Sequence, residues 1–155
     1  MIQKSNIEEI IRKHIADTGI FLVDISVSPG NIIHVYLDKP DGISIDECTE
    51  INRHIISQLD KDIEDYELEV SSPGLGLPFK VFQQYQKNLG RNVELVLKTG
   101  LKIKGKLIEA SPERIEIEEQ KKHRDGSKKK AELITIITSY LMSEIKSAKL
   151  VVSFK

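Results

Sequence analysis

Apolar and polar residues alternate with a period that changes several times along the chain, and each change marks an element. Ile7, Ile10, Ile11 and Ile15 fall on one face at helical spacing, and Ser5-Asn6-Ile7-Glu8 has the spacing of a capping box. A helix is expected from there, stopped by Gly19. The period then drops to two. Phe21, Val23, Ile25 and Val27 alternate with Leu22, Asp24, Ser26 and Ser28; after Pro29-Gly30-Asn31, Ile33, Val35 and Leu37 alternate with His34, Tyr36 and Asp38. This predicts a hairpin with one buried face. Ser44 and Glu47 repeat the capping-box spacing ahead of the stripe Cys48, Ile51, Ile55, Ile56 and Leu59, a second helix. Tyr66, Leu68 and Val70 alternate with Glu67 and Glu69 in a strand that ends by Ser72, because Pro73 has no N–H to give a ladder. The order is α-β-β-α-β. Both helices need the same sheet face, which a two-layer α/β sandwich supplies.

The segment Ser71-Ser72-Pro73-Gly74-Leu75-Gly76-Leu77-Pro78 is too rich in Ser, Pro and Gly for either period, and predicts a short, stiff connector. Three parts are therefore expected: an N-terminal domain over 1–72, a linker over 73–78 and a C-terminal domain over 79–155. The last part opens with a short helix in Phe79 to Leu89, ended by Gly90, and then reads as strands. Val93, Leu95 and Leu97 form one inward set, Leu101, Ile103 and Leu107 the next, and Ile115 with Ile117 a third. Gly105 falls among the inward positions, where a missing side chain suits a close bend. Leu133 to Ile137, a single turn near Ser139 to Met142 and a strand around Leu150 to Phe154 complete the pattern. Five short strands with one such turn before the last predict a small SH3-like or Sm-like β-barrel. The fold class is α+β.

Charge divides the chain in the same place. Residues 1–70 carry 6 Lys/Arg against 15 Asp/Glu, and residues 71–155 carry 17 against 9, so a net −1 hides an acidic half and a basic half. That asymmetry points to a polyanion for the second half and to a basic protein, or an orientation away from RNA, for the first. Two groups concentrate the positive charge: Lys102, Lys104 and Lys106 on one strand face, and Lys121, Lys122, Arg124, Lys128, Lys129 and Lys130 in a self-repelling loop with His123 and one Asp. The bland alternative for the stripe is an edge strand guarded by lysine, and for the loop a solubilising surface. There is no Trp, and aromatics do not interleave the basic segments, so base stacking is not the expected mode of contact. Phosphate and shape contacts are.

Candidate catalytic residues are isolated. Cys48 lies on an apolar helix stripe, where a buried small hydrophobe outweighs a nucleophile, and as the single cysteine it cannot form an internal disulfide. His14 and His54 sit on separate helices and His34 on a polar strand face, without partners at ligand spacing. Gly74-Leu75-Gly76 lacks the third glycine of a dinucleotide fingerprint, and Ser71 and Ser72 lack the glycines of a nucleophile elbow. No catalytic residue, metal or cofactor is expected. With 39% hydrophobic and 30% charged residues, no apolar run near the roughly 18 residues of a membrane span, and no signal peptide in Met1 to Ile10, a cytoplasmic protein is expected, a monomer when free.

The run Leu68-Glu69-Val70-Ser71-Ser72-Pro73-Gly74-Leu75, with Pro78, resembles the linker motif of the ribosome maturation factor RimP family. The resemblance extends to the Ile45-Asp46-Glu47-Cys48 helix start, Leu59-Asp60 and the β-rich end. Gly76 and Leu77 depart from the family's Asp-Arg, which implies a looser hinge. The resemblance implies a KH-like N-terminal domain and a C-terminal SH3-like barrel. It also implies a non-enzymatic assembly factor for the immature small (30S) ribosomal subunit, in contact with rRNA or, through the barrel, with a ribosomal protein near the decoding region. The Gly-x-x-Gly loop by which KH domains clamp RNA does not occur, which favours a protein-contacting or structural N-terminal half. A general RNA-binding adaptor with an Sm-like barrel is the competing reading, and a small hydrolase or transferase using Cys48 or a histidine is a third.

Overall fold

A computed structural model describes residues 2–59, 65–123 and 132–151, with the side chains of 122, 123 and 132 left aside. Its elements divide between two compact units, Met1–Gly74 and Leu75–Lys155.

In the first unit, helix α1 spans Lys4–Ile15 and buries Ile7, Ile11 and Ile15. It begins two residues before the start that a Ser5 cap would set. Gln3 is its N-cap, with no side-chain cap, so Ser5 lies inside the first turn and the Ser5/Glu8 box does not form. The far end is closed by Thr18, whose N–H and hydroxyl both donate to the Ile15 carbonyl, before Gly19 is reached. Strands β1 (Phe21–Ser28) and β2 (Ile32–Asp38) pair antiparallel. Helix α2 (Ile45–Gln58) then carries the chain to β3 (Glu67–Ser71), which runs parallel to β2, giving the order β1-β2-β3. Here the capping box is complete: Glu47 N–H donates to Ser44 Oγ, and Ser44 N–H donates to Glu47 Oε1, both at 3.1 Å. Ile7, Ile11 and Ile15 meet Ile51 and Ile55 over Ile33, Val35 and Leu37.

Strict alternation fails in β1. A register shift between Leu22 and Asp24 turns Leu22, rather than Val23, into this core together with Ile25. Such a bulge flips the facing of every residue on one side of it.

The second unit begins with Pro78 bridged to Lys149 and Phe79 N–H donating to the Ala148 carbonyl. Helix α3 spans only Phe82–Lys87. Buried Gln84 accounts for its start, its Oε1 accepting from the Lys80 and Val81 N–H groups. Five antiparallel strands follow: β4 (Asn92–Leu97), β5 (Lys102–Ala110), β6 (Arg114–His123), β7 (Glu132–Leu141) and, after a 3₁₀ turn over Met142–Glu144, β8 (Ile145–Leu150). Their order is β7-β6-β5-β4-β8. The expected turn at Ser139 to Met142 is instead mostly strand, and the last strand ends where it was expected to begin; residues 152–154 lie outside the described residues. The core gathers Val93, Leu95, Leu97, Ile103, Leu107, Ile115, Ile117, Ile145 and Ala148. No helix among the described residues is long and apolar enough to cross a membrane.

Candidate nucleic-acid interface

Lys102, Lys104 and Lys106 are exposed on one face of β5 because Ile103 and Leu107, buried on the other, fix the phase of the strand. β5 is the middle strand of five, so lysine guarding of an edge does not explain the stripe. Nor is the face uniformly positive. Lys104 lies opposite Glu94 on β4, with Nζ 3.7 Å from Oε2, and Lys106 pairs with Asn92 on one side and Glu118 on the other. Lys149 on β8 is also opposite Glu94 and adds a fourth exposed amine that sequence reasoning missed. Its signal was Ala148, an inward residue whose neighbour must face out. Such a surface holds amines on a rigid sheet, with Lys104, Lys106 and Lys149 each opposite a carboxylate that a phosphate can displace.

The second basic group divides. Lys121 and Lys122 belong to β6, in register with Ile134 and Leu133, and are not part of a loop. Lys121 Nζ stands 3.4 Å from Glu119 Oε2, while the other carboxylate oxygen accepts from the Tyr140 hydroxyl at 3.0 Å. Burial, followed by the hydrogen bond to Glu119 and its charge, pushes the Tyr140 hydroxyl pKa up. Glu119 is buried, and Lys121 is its cation. Arg124, Lys128, Lys129 and Lys130 lie outside the described residues.

The connector residues also separate. Ser71 ends β3; Ser72, Pro73 and Gly74 have no regular structure; Pro78 already pairs within the second unit. The left-handed backbone is at Gly76, with φ +79°, and not at Gly74.

Residues that could suggest catalysis have other employment. Burial, then the charges of Glu47 and Asp38, pushes the Cys48 thiol pKa up, away from the thiolate a nucleophile needs. His14 and His54, expected to stand apart, stack with ring centroids 3.9 Å apart where α1 meets α2, and His14 Nε2 is 3.1 Å from Glu50 Oε1. Among the described residues no group of three or more His, Cys, Asp or Glu could hold a metal ion.

A family model described as the RimP N-terminal domain matches residues 10–76. Over 148 residues, 96% of this chain and 97% of its counterpart, the sequence is 38% identical to the Ribosome maturation factor RimP of Porphyromonas gingivalis. The chain belongs to the ribosome maturation factor RimP family. Proteins of the same name from Flavobacterium psychrophilum and Christiangramia forsetii are 34% and 32% identical over 119 and 93 residues. Those matches cover 76% and 59% of this chain, and 77% and 61% of the respective relatives. The N-terminal RimP match takes in all three strands of the first sheet and stops at Gly76.

Proposed function

We propose that this RimP-family chain is a non-enzymatic factor that binds the immature small (30S) ribosomal subunit and assists its maturation in the cytoplasm. The observation that carries the proposal is similarity along nearly the whole chain to proteins named ribosome maturation factor. The second unit, whose five strands we take to close as a small SH3-like barrel, presents Lys102, Lys104, Lys106 and Lys149 to rRNA phosphate, and the sequence from Lys121 to Lys130 supplies further positive charge for the same contact. The same unit meets a ribosomal protein near the decoding region. The raised pKa of Cys48 supports a non-enzymatic reading.

Sedimentation of a cell lysate on a sucrose gradient tests this directly. At low salt the protein should travel with the small-subunit precursor, and at high salt it should return to the top, since phosphate contacts weaken as condensed counterions become cheaper to restore. Migration with bulk RNA of all sizes would favour the general RNA-binding adaptor. Absence from every particle at low salt would overturn the proposal.

A further inference from the structure

We propose that the groove between β3 and α2 receives an extended basic peptide of a protein partner as a fourth strand of the first sheet, its alternate apolar side chains entering the groove and its intervening Lys or Arg lying beside Glu67 and Glu69. β3 ends the order β1-β2-β3, so one side of its backbone has no strand. Glu67 N–H donates to the Asn31 carbonyl, toward β2, and alternation therefore turns the amides of Leu68 and Val70 to the free side. On that side, among the described residues, the Leu68 carbonyl accepts a long hydrogen bond, 3.4 Å, from the Asn52 side chain of α2. Beside this edge lies a cavity of about 440 Å³, lined among others by Ile43, Ile45, Cys48, Asn52, Val70 and Ser71. Ile45 stands at its rim 84% exposed, at the first turn of a helix that sends Ile51 and Ile55 into the core.

Strand addition uses these parts together: main-chain bonds to the edge supply affinity, and pockets for alternate side chains supply selectivity. The alternate residues on the opposite face would neighbour exposed Glu67 and Glu69 across the new pair, where an opposite charge is favourable and a like charge is not. Arg53, the cation among the lining residues, is on the helix side, where the peptide's apolar residues come. Among the described residues the groove has no aromatic lining to stack bases, and this half of the chain is acidic. These favour a peptide over RNA.

The test uses the full chain and two fluorescein-labelled octapeptides, one alternating Lys with Val and one alternating Glu with Val. Saturable binding of the Lys-Val peptide is expected, with amide shifts in the NMR spectrum centred on Leu68 and Val70. Glu67→Lys should weaken that peptide about ten-fold while favouring the Glu-Val one, as an attraction becomes a repulsion. Ile45→Ser, at a position too exposed to matter for folding, should weaken both. Failure of the Lys-Val peptide to bind, equal binding by all three proteins, shifts away from β3, or displacement of the peptide from β3 by a uridine dodecamer would each overturn the proposal.

Discussion

A β-carbon built on Gly105 would stand 2.5 Å from Ile117 Cγ2 and 2.7 Å from the Glu118 carbonyl oxygen. The isoleucine side chain can turn; the backbone carbonyl of a paired strand cannot without opening the ladder. Gly105→Ala is therefore expected to cost about 2 to 3 kcal/mol, in the range of an overpacked core site, read as a lower urea midpoint for the second unit. A loss of only a few tenths would mean that β5 and β6 separate freely. Sequence had already singled out this glycine by its inward phase between Ile103 and Leu107. The reason is narrower than a bend, however: two backbones pass too close for any side chain. Gly74 and Gly76 could not be ranked the same way, because both follow the strand in a Pro-Gly-rich segment and only the fold shows that Gly76 takes the left-handed backbone. The His14/His54 stack was equally out of reach, since the two residues lie forty positions apart and meet only when α1 and α2 share a sheet face.

At the level of the element, the start of α2 joins a cap to a charge. The Ser44 N–H holds the Glu47 carboxylate, and Lys39 Nζ stands 3.1 Å from its other oxygen; together, with the backbone bond the larger cause, they lower the Glu47 pKa below its ordinary value near 4.5. A depressed carboxylate adds stability that is present above the unfolded pKa and is lost as pH falls through the folded value. Lys39→Met should raise the Glu47 pKa without restoring 4.5, because the Ser44 N–H remains. Carbon-detected NMR titration would show it, and an unchanged pKa would remove Lys39 from the account. Elements such as this one were legible because one-sided burial imposes a period, and capping residues at α2 agree with it. Where burial is not one-sided, the reading slipped. Along β7, Leu133, Ile134, Ile136 and Ile137 are all at least 37% exposed, so the run has no period to give its end, and the 3₁₀ turn at Met142–Glu144 has neither Gly nor Pro to announce it. The bulge in β1 hid behind three consecutive apolar residues, Phe21, Leu22 and Val23, any of which could have faced the core.

For the whole molecule, the junction of the two units makes a sharper prediction than the Pro-Gly composition alone. Pro78 and Phe79 are tied to β8, so an exposed cleavage site is left only between Ser72 and Leu77, where Leu75 and Leu77 are 79% and 57% exposed. Limited proteolysis with a protease that cuts beside leucine should nick there and leave two fragments that each unfold cooperatively. A chain resistant at that site would mean that the connector is covered. The charge division across the same junction then bears on function through salt dependence. The stripe is interleaved with Glu94 and Glu118, and Lys121 is engaged with buried Glu119, so not every amine is available to phosphate. Neutralising Lys102, Lys104 and Lys106 to Gln should therefore remove two or three contacts at most, flattening the slope of log affinity against log salt by roughly 1 to 2, at about 0.7 per RNA phosphate. Neutralising Lys122, Arg124, Lys128, Lys129 and Lys130 while keeping Lys121, the cation beside buried Glu119, should flatten it by roughly 2 to 3 if three or four of them meet phosphate. The Lys102, Lys104 and Lys106 variant should keep the wild-type melting temperature, because these exposed charges contribute little to the core. The comparison is binding to purified small subunits and to a bare structured RNA across a salt series. Equal slopes for wild type and both variants would assign the lysines to solubility, and equal losses on subunit and bare RNA would favour a general RNA-binding adaptor over a factor fitted to the particle.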